Sequence, residues 1–309
     1  QFTSRAAWNI RAAHIRELMP SPDPTGDGLT AWTRLLLSGD VAGGIRDFIR
    51  AEARPSIKRT LNELPILYYV IGDLQTGDAQ MEAGRQTSWI GSGTAAEAYR
   101  LLAYGEIEEA RRLAVATLTA PNKIWGGEHG DVILLRLAVD ALIENGEAHR
   151  AVEFLEKLAP EYAQYKVRKH IDPQDFSPAP IPLKSAWSSF PALYFADYSR
   201  ALRAVGDKAG ANQMLHHLEA VLELRRKRGL VIEERHAAEA LALRGRTDAA
   251  LDALEKAERD RTIYYRWHLV LLHNEIFAGF RDHPRFVALV EKIQRDLSRQ
   301  REQLQSAKN

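Results

Sequence analysis

Residues 237–257 read Ala-Ala-Glu-Ala-Leu-Ala-Leu-Arg-Gly-Arg-Thr-Asp-Ala-Ala-Leu-Asp-Ala-Leu-Glu-Lys-Ala. Ala237, Ala238 and Leu241 lie on one helical face before Gly245. Ala250, Leu254 and Ala257 repeat that spacing after it. Two amphipathic helices joined by a glycine turn follow from this, because glycine accepts the left-handed backbone that ends the first helix. The same device occurs at Gly39-Asp40, Gly72-Asp73, Gly105-Glu106, Gly146-Glu147 and Gly206-Asp207. Five residues after each glycine stands a small residue: Gly44, Gly77, Ala110, Ala151, Ala211 and Ala250. A small residue there lets the second helix cross closely over the first. The glycines are spaced 33, 33, 41, 60 and 39 residues apart, which marks a repeat array.

The rest of the chain agrees. Ala, Leu, Glu and Arg dominate, all strong helix formers, and strand signals are scarce. In 309 residues, 45% are hydrophobic, enough to bury a core. The charges nearly cancel, 42 basic against 41 acidic. That argues against direct nucleic-acid binding, which normally shows a basic excess. With no cysteine, thiolate metal sites, disulfides and Cys nucleophiles are excluded. Absence of cysteine also leans towards a bacterial periplasmic setting, with the cytoplasm as alternative. No apolar run reaches the ~18–20 residues of a membrane helix. The start at Gln1 rather than Met reads as a fragment or a processed form.

Small and large apolar residues alternating around a glycine turn, as in Ala98, Leu101, Gly105, Ala110 and Leu118 with Pro121 closing the unit, resemble tetratricopeptide (TPR) repeats. The resemblance covers about residues 28–260. It implies an all-α fold, an α-solenoid of TPR-like helical hairpins in a right-handed superhelix. Residues 1–27 read as an N-terminal helix, with Trp8, Ala12, Ile15 and Leu18 on one stripe, and a Pro-rich linker. A Pro-rich loop at 170–188 is inserted into the repeats, and 261–309 form a helical cap. Pro65 and Trp32 occupy places where the repeat pattern expects a small residue. Within the cap, Asp282-His283-Pro284-Arg285-Phe286 resembles the Asp-x-Pro-x-Phe tail of the TPR-like halves of bacterial winged-helix transcription regulators.

The resemblance implies a protein-interaction or sensor module that takes a peptide or partner protein in a concave groove lined by the first helices. Counting ten, six and three residues back from the turn glycines marks Asn62, Tyr69, Tyr99, Arg136, Asp140, Arg200, Arg203, Arg235 and Glu239 as outward positions on that groove. Four arginines would suit an acidic partner. Catalytic motifs are not evident: there is no P-loop, HExxH or G-x-S-x-G, and the sequence implies no cofactor, metal or enzyme activity. Glu128, His129 and Asp131 in the Gly-rich connection 121–131 are the nearest thing to an acid–base group. They keep open a rival reading as a glycan-acting enzyme or small-molecule receptor; the bland reading is that Asp131 caps a helix beginning at Val132. His216-His217 and His268/His273 lack the i,i+4 spacing of a helical zinc site. Tyr264, Tyr265 and Trp267 read as core aromatics.

Overall fold

The computed structural model describes residues 34–52, 64–85, 92–120, 130–159, 163–166, 190–227 and 234–306. The expected N-terminal helix and linker (1–27) and the Pro-rich loop (170–188) lie outside the described residues. The chain is all-α, with no strand among the described residues. A short π-turn, Arg34–Ser38, precedes α1 (Val41–Glu52). Then follow α2 (Leu64–Ile71) and α3 (Leu74–Arg85), α4 (Ser92–Ala103) and α5 (Ile107–Thr119), and α6 (Gly130–Glu144) and α7 (Ala148–Leu158). The array continues with α8 (Phe190–Ala204) and α9 (Lys208–Lys227), then α10 (Glu234–Leu243) and α11 (Thr247–Arg259). Each first helix packs on its own second helix and on the next first helix: α2 on α4, α4 on α6, α6 on α8 and α8 on α10. That is a stack of hairpins, in which every unit buries its apolar surface on its neighbours.

The turns follow the sequence. All six turn glycines have positive φ, from +59° at Gly39 to +87° at Gly206. Five close with the same pair of backbone bonds. At Gly105, its N–H donates to Leu102 O (3.1 Å) and Glu106 N–H donates to Leu101 O (2.8 Å). Those bonds satisfy carbonyls that the helix end leaves free. In three hairpins an aspartate after the glycine then caps the second helix. Asp40, Asp73 and Asp207 accept from the N–H of Gly43, Thr76 and Gly210 at 2.7, 3.3 and 2.8 Å.

The small residues mark the close crossings. Ala110, Ala151, Ala211 and Ala250 are fully buried. A Cβ on Gly44 would stand 2.7 Å from Leu35 Cδ2, and one on Gly77 would stand 2.5 Å from Tyr69 Cε1. By contrast, a Cβ on Gly105 meets nothing within 4 Å. Two glycines are therefore needed for different reasons. Gly105→Ala should cost about 1 kcal/mol, from backbone strain alone. Gly77→Leu should cost about 2–3 kcal/mol, because it wedges α3 away from α2. Urea titration of both variants beside the wild type checks the order.

Beyond α11 the chain leaves the repeat pattern. Arg261 takes the place of the turn glycine, with φ +62°, the one positive-φ non-glycine among the described residues. Residues 263–280 then form a strap of three short irregular turns, Tyr264–Arg266, His268–Leu272 and Glu275–Phe280. The strap does not stack as another hairpin. It packs in turn on the Arg34–Ser38 turn and α2, then α4, then α10. Trp267 Nε1–H donates to Val70 O across the array (3.1 Å). Ile263, Tyr264, Tyr265, Trp267, Leu271 and Phe277 are buried, so the aromatics are core, as their spacing suggests.

The chain ends in α12 (Pro284–Ser306), one continuous 23-residue helix. Proline opens it, where no N–H is needed, and Phe286 packs on Phe277 at 6.4 Å between ring centroids. Its buried stripe, Phe286, Leu289, Ile293, Leu297 and Leu304, runs to the last turns. This helix lies beside α11 and also against α1 and α2. Gln300 Nε2–H donates to Gly39 O (3.0 Å) and Arg301 Nη1–H donates to Gly72 O (2.8 Å), so it caps the first two turns. Residues 261–306 join the first and last hairpins.

Candidate functional site

The candidate site is the inner face formed by the first helices, and it is not open. Tyr69, Tyr99, Arg136, Asp140, Arg235 and Glu239 are all less than 8% exposed, and the Arg200 side chain is 11% exposed. Among the described marked positions only Arg203 is exposed, and its Nη1–H donates to Leu243 O (3.1 Å). Asn62 lies outside the described residues. The reading of these positions as an exposed groove is therefore corrected. The strap crosses the face, touching α2, α4 and α10, and neighbouring first helices close on one another along it.

What the face holds is a buried ionic network bridging three hairpins and the strap. Arg136 of α6 reaches Asp197 of α8 through Nε (3.3 Å) and Glu239 of α10 through Nη1. One turn further along α6, Asp140 accepts from Arg200 of α8, which also lies 3.7 Å from Asp197. His236 Nδ1 is 3.0 Å from Glu239 Oε2. From the strap, Asn274 Nδ2–H donates to Glu239 Oε1 (2.9 Å). A second knot ties α5 and α6 to the strap: Arg111 bonds Glu144 at 2.7 and 2.9 Å and Glu275 at 3.1 Å, and Glu275 also accepts from Arg281.

The carboxylates differ in character because their partners differ. Burial opposes charge on Glu239, but Arg136 and His236 outweigh it and hold the group well below the usual carboxylate range. Asp197 is equally buried and has only the longer contacts to Arg136 and Arg200, so burial pushes it up to about 6. Burial also opposes the Arg136 charge, but Asp197 and Glu239 more than offset it. Sequence reasoning marked Arg136, Asp140, Arg200, Arg235 and Glu239 but missed Asp197, His236, Asn274 and Arg111. A signal existed: Arg136 and Asp197 each interrupt an otherwise apolar run, Ile-Leu-Leu-Arg-Leu-Ala-Val and Leu-Tyr-Phe-Ala-Asp-Tyr.

The chain matches no family model, and neither a curated protein nor a solved structure matches it significantly. The geometry alone therefore guides a functional reading.

Glu128 and His129 lie outside the described residues, and α6 begins at Gly130, so Asp131 sits inside its first turn rather than at its cap. His217 is fully buried, 2.9 Å from Tyr165 O and edge-on to the Tyr165 ring, while His216 is exposed. Asp197 and Glu239 have the opposed shifts that acid–base pairs use. Here both share Arg136 and are at most 1% exposed. In this arrangement they tie hairpins together through Arg136, although Arg136 Nη2, Asp140 Oδ2 and Asp197 Oδ1 have no hydrogen-bond partner among the described residues.

Proposed function

We propose that the chain is an interaction or sensor module built from TPR-like hairpins, with a protein or peptide as its partner. The observation that carries this reading is the repetition: the same glycine turn and the same close crossing recur through the array. Repetition of one unit produces an extended row of near-equivalent surfaces, which is how arrays of this kind meet partners. With the inner face filled by the chain's own strap, the proposed contact moves to the turn edges and the outer faces of the second helices. Tyr104 and Val205, each directly before a turn glycine, are 42% and 43% exposed on that edge. The Pro-initiated start of α12 at Asp282-His283-Pro284-Arg285-Phe286 supports placing the module in the regulatory half of a bacterial transcription regulator.

The test is affinity capture from matched cytosolic and envelope fractions with lysine-reactive cross-linking, read by mass spectrometry. The expected result is a stoichiometric partner whose cross-links fall on second helices, at residues such as Lys157, Lys227 and Lys256. A Tyr104→Glu plus Val205→Glu variant should lose it at least tenfold while its helical circular dichroism is unchanged. Failure to retain any stoichiometric partner, together with a small molecule that raises the melting temperature, would overturn the reading in favour of a receptor or enzyme.

A further inference from the structure

The strap carries two imidazoles into the interior, and each sits where a positive charge has no place. His268 stacks on Trp267 (4.0 Å between ring centroids) and lies edge-on to Tyr99 of α4 (5.7 Å). Its Nδ1 is buried with no hydrogen-bond partner among the described residues. A proton there would gain no acceptor. The groups around it are Tyr99, whose hydroxyl feels Arg235 of α10 and Arg266 of the strap, and His273. His273 is 9% exposed and its ring bonds the backbone of Leu102 in α4. It faces Arg111 of α5 and Arg281 of the strap, with Glu275 the single acid among its neighbours. Two guanidiniums, of Arg111 and Arg281, thus face His273, while His268 lies between the Trp267 and Tyr99 rings with no charged partner. Burial, with His273 nearby, holds His268 down to about 3, and burial with Arg281 and Arg111 holds His273 down to about 4.

The segment also has two marked ends. It is bounded by Arg261, a non-glycine held at positive φ, and by Pro284 at the start of α12. Such a residue is strained relative to the glycines at the other six turns. Between these ends no turn exceeds six residues.

We infer that residues 261–283 form an acid-sensitive strap, which loosens from the inner face when His268 and His273 are protonated while the central hairpins, α6 to α9, stay folded. The sign follows from linkage. Free of the face, each imidazole titrates near its ordinary value of about 6.5. The docked strap is therefore at full strength above that pH and weakens as the pH falls towards 4. At pH 5, two linked protons raise the opening equilibrium by a factor on the order of 100–1000 over pH 7.5.

Amide hydrogen exchange of the full chain at pH 7.5 and pH 5.0, corrected for intrinsic rates, tests this. Amides of 264–280 should exchange about 100-fold faster at pH 5.0, while those of α6 and α9 change by less than about threefold. Replacing both residues, His268→Gln and His273→Gln, should remove the pH dependence. Imidazole carbon-13 NMR of the wild-type chain gives a check free of mutation: two histidine signals should stay neutral down to pH 5 in the docked state. Equal acceleration in strap and hairpins, or none in the strap, would overturn the inference, as would two strap histidines titrating near 6.5.

Discussion

Arg136→Met should destabilise the protein by about 3–5 kcal/mol, because it leaves buried carboxylates without their shared cation. Asp197 and Glu239 are at most 1% exposed and meet on this one guanidinium. Neither can turn to water without parting α8 from α10. The penalty is the cost of the orphaned charges and not the worth of the pair. Arg136→Met combined with Asp197→Leu and Glu239→Met should therefore recover most of the loss. Urea midpoints of the single and triple variants, at pH 7.5, check both statements. A single variant within about 1 kcal/mol of wild type would mean that water reaches these groups and that the face is open after all.

Trp267→Ala should cost a further-reaching 3–5 kcal/mol, the usual range for a buried aromatic. The ring is 5% exposed, stacks on His268, and donates its N–H to Val70 O, so its loss also leaves a buried carbonyl unpaired. The reach of the damage distinguishes a closed array from an open one. In an open solenoid, units far apart in sequence unfold with some independence. Here Trp267 lies 197 positions from Val70, and the strap bridges the first hairpins and α10. Hydrogen exchange should accordingly show α2 losing protection along with the strap. Loss confined to 263–306 would contradict the bridging role.

The hairpins were legible in the sequence because their determinants are local. A turn glycine, a small residue five positions on and apolar residues at helical spacing all fall within some 20 residues of one another, as around Gly245 and Ala250. The inner face was not legible in the same way. Arg136, Asp197 and Glu239 are separated by 61 and 42 residues, and only stacking brings them together. Counting back from the glycines identified the right side of the first helices, but not what covers it. One local clue pointed the other way. The α2 sequence Leu-Pro-Ile-Leu-Tyr-Tyr-Val-Ile is apolar on every face, and all eight residues are buried. A helix lining an open groove keeps a polar face, so a helix apolar all round signals cover on all sides. The strap itself gave the weakest signal: its π and 3₁₀ turns follow no 3.6-residue period, and Arg261 hides a turn usually marked by glycine.

The C-terminal helix closes the array onto its first hairpins. The chain has no cysteine, so a single introduced pair reports without background. Ala42 N–H donates to Gln300 Oε1 at 3.2 Å. An Ala42→Cys plus Gln300→Cys variant, oxidised at low protein concentration, should form an intrachain disulfide cross-link, because the two positions pack together. Peptide mapping would find it joining α1 to α12, and it should not form when the protein is unfolded in urea before oxidation. Slow or purely interchain cross-linking in the folded protein would contradict the closure and restore an open groove.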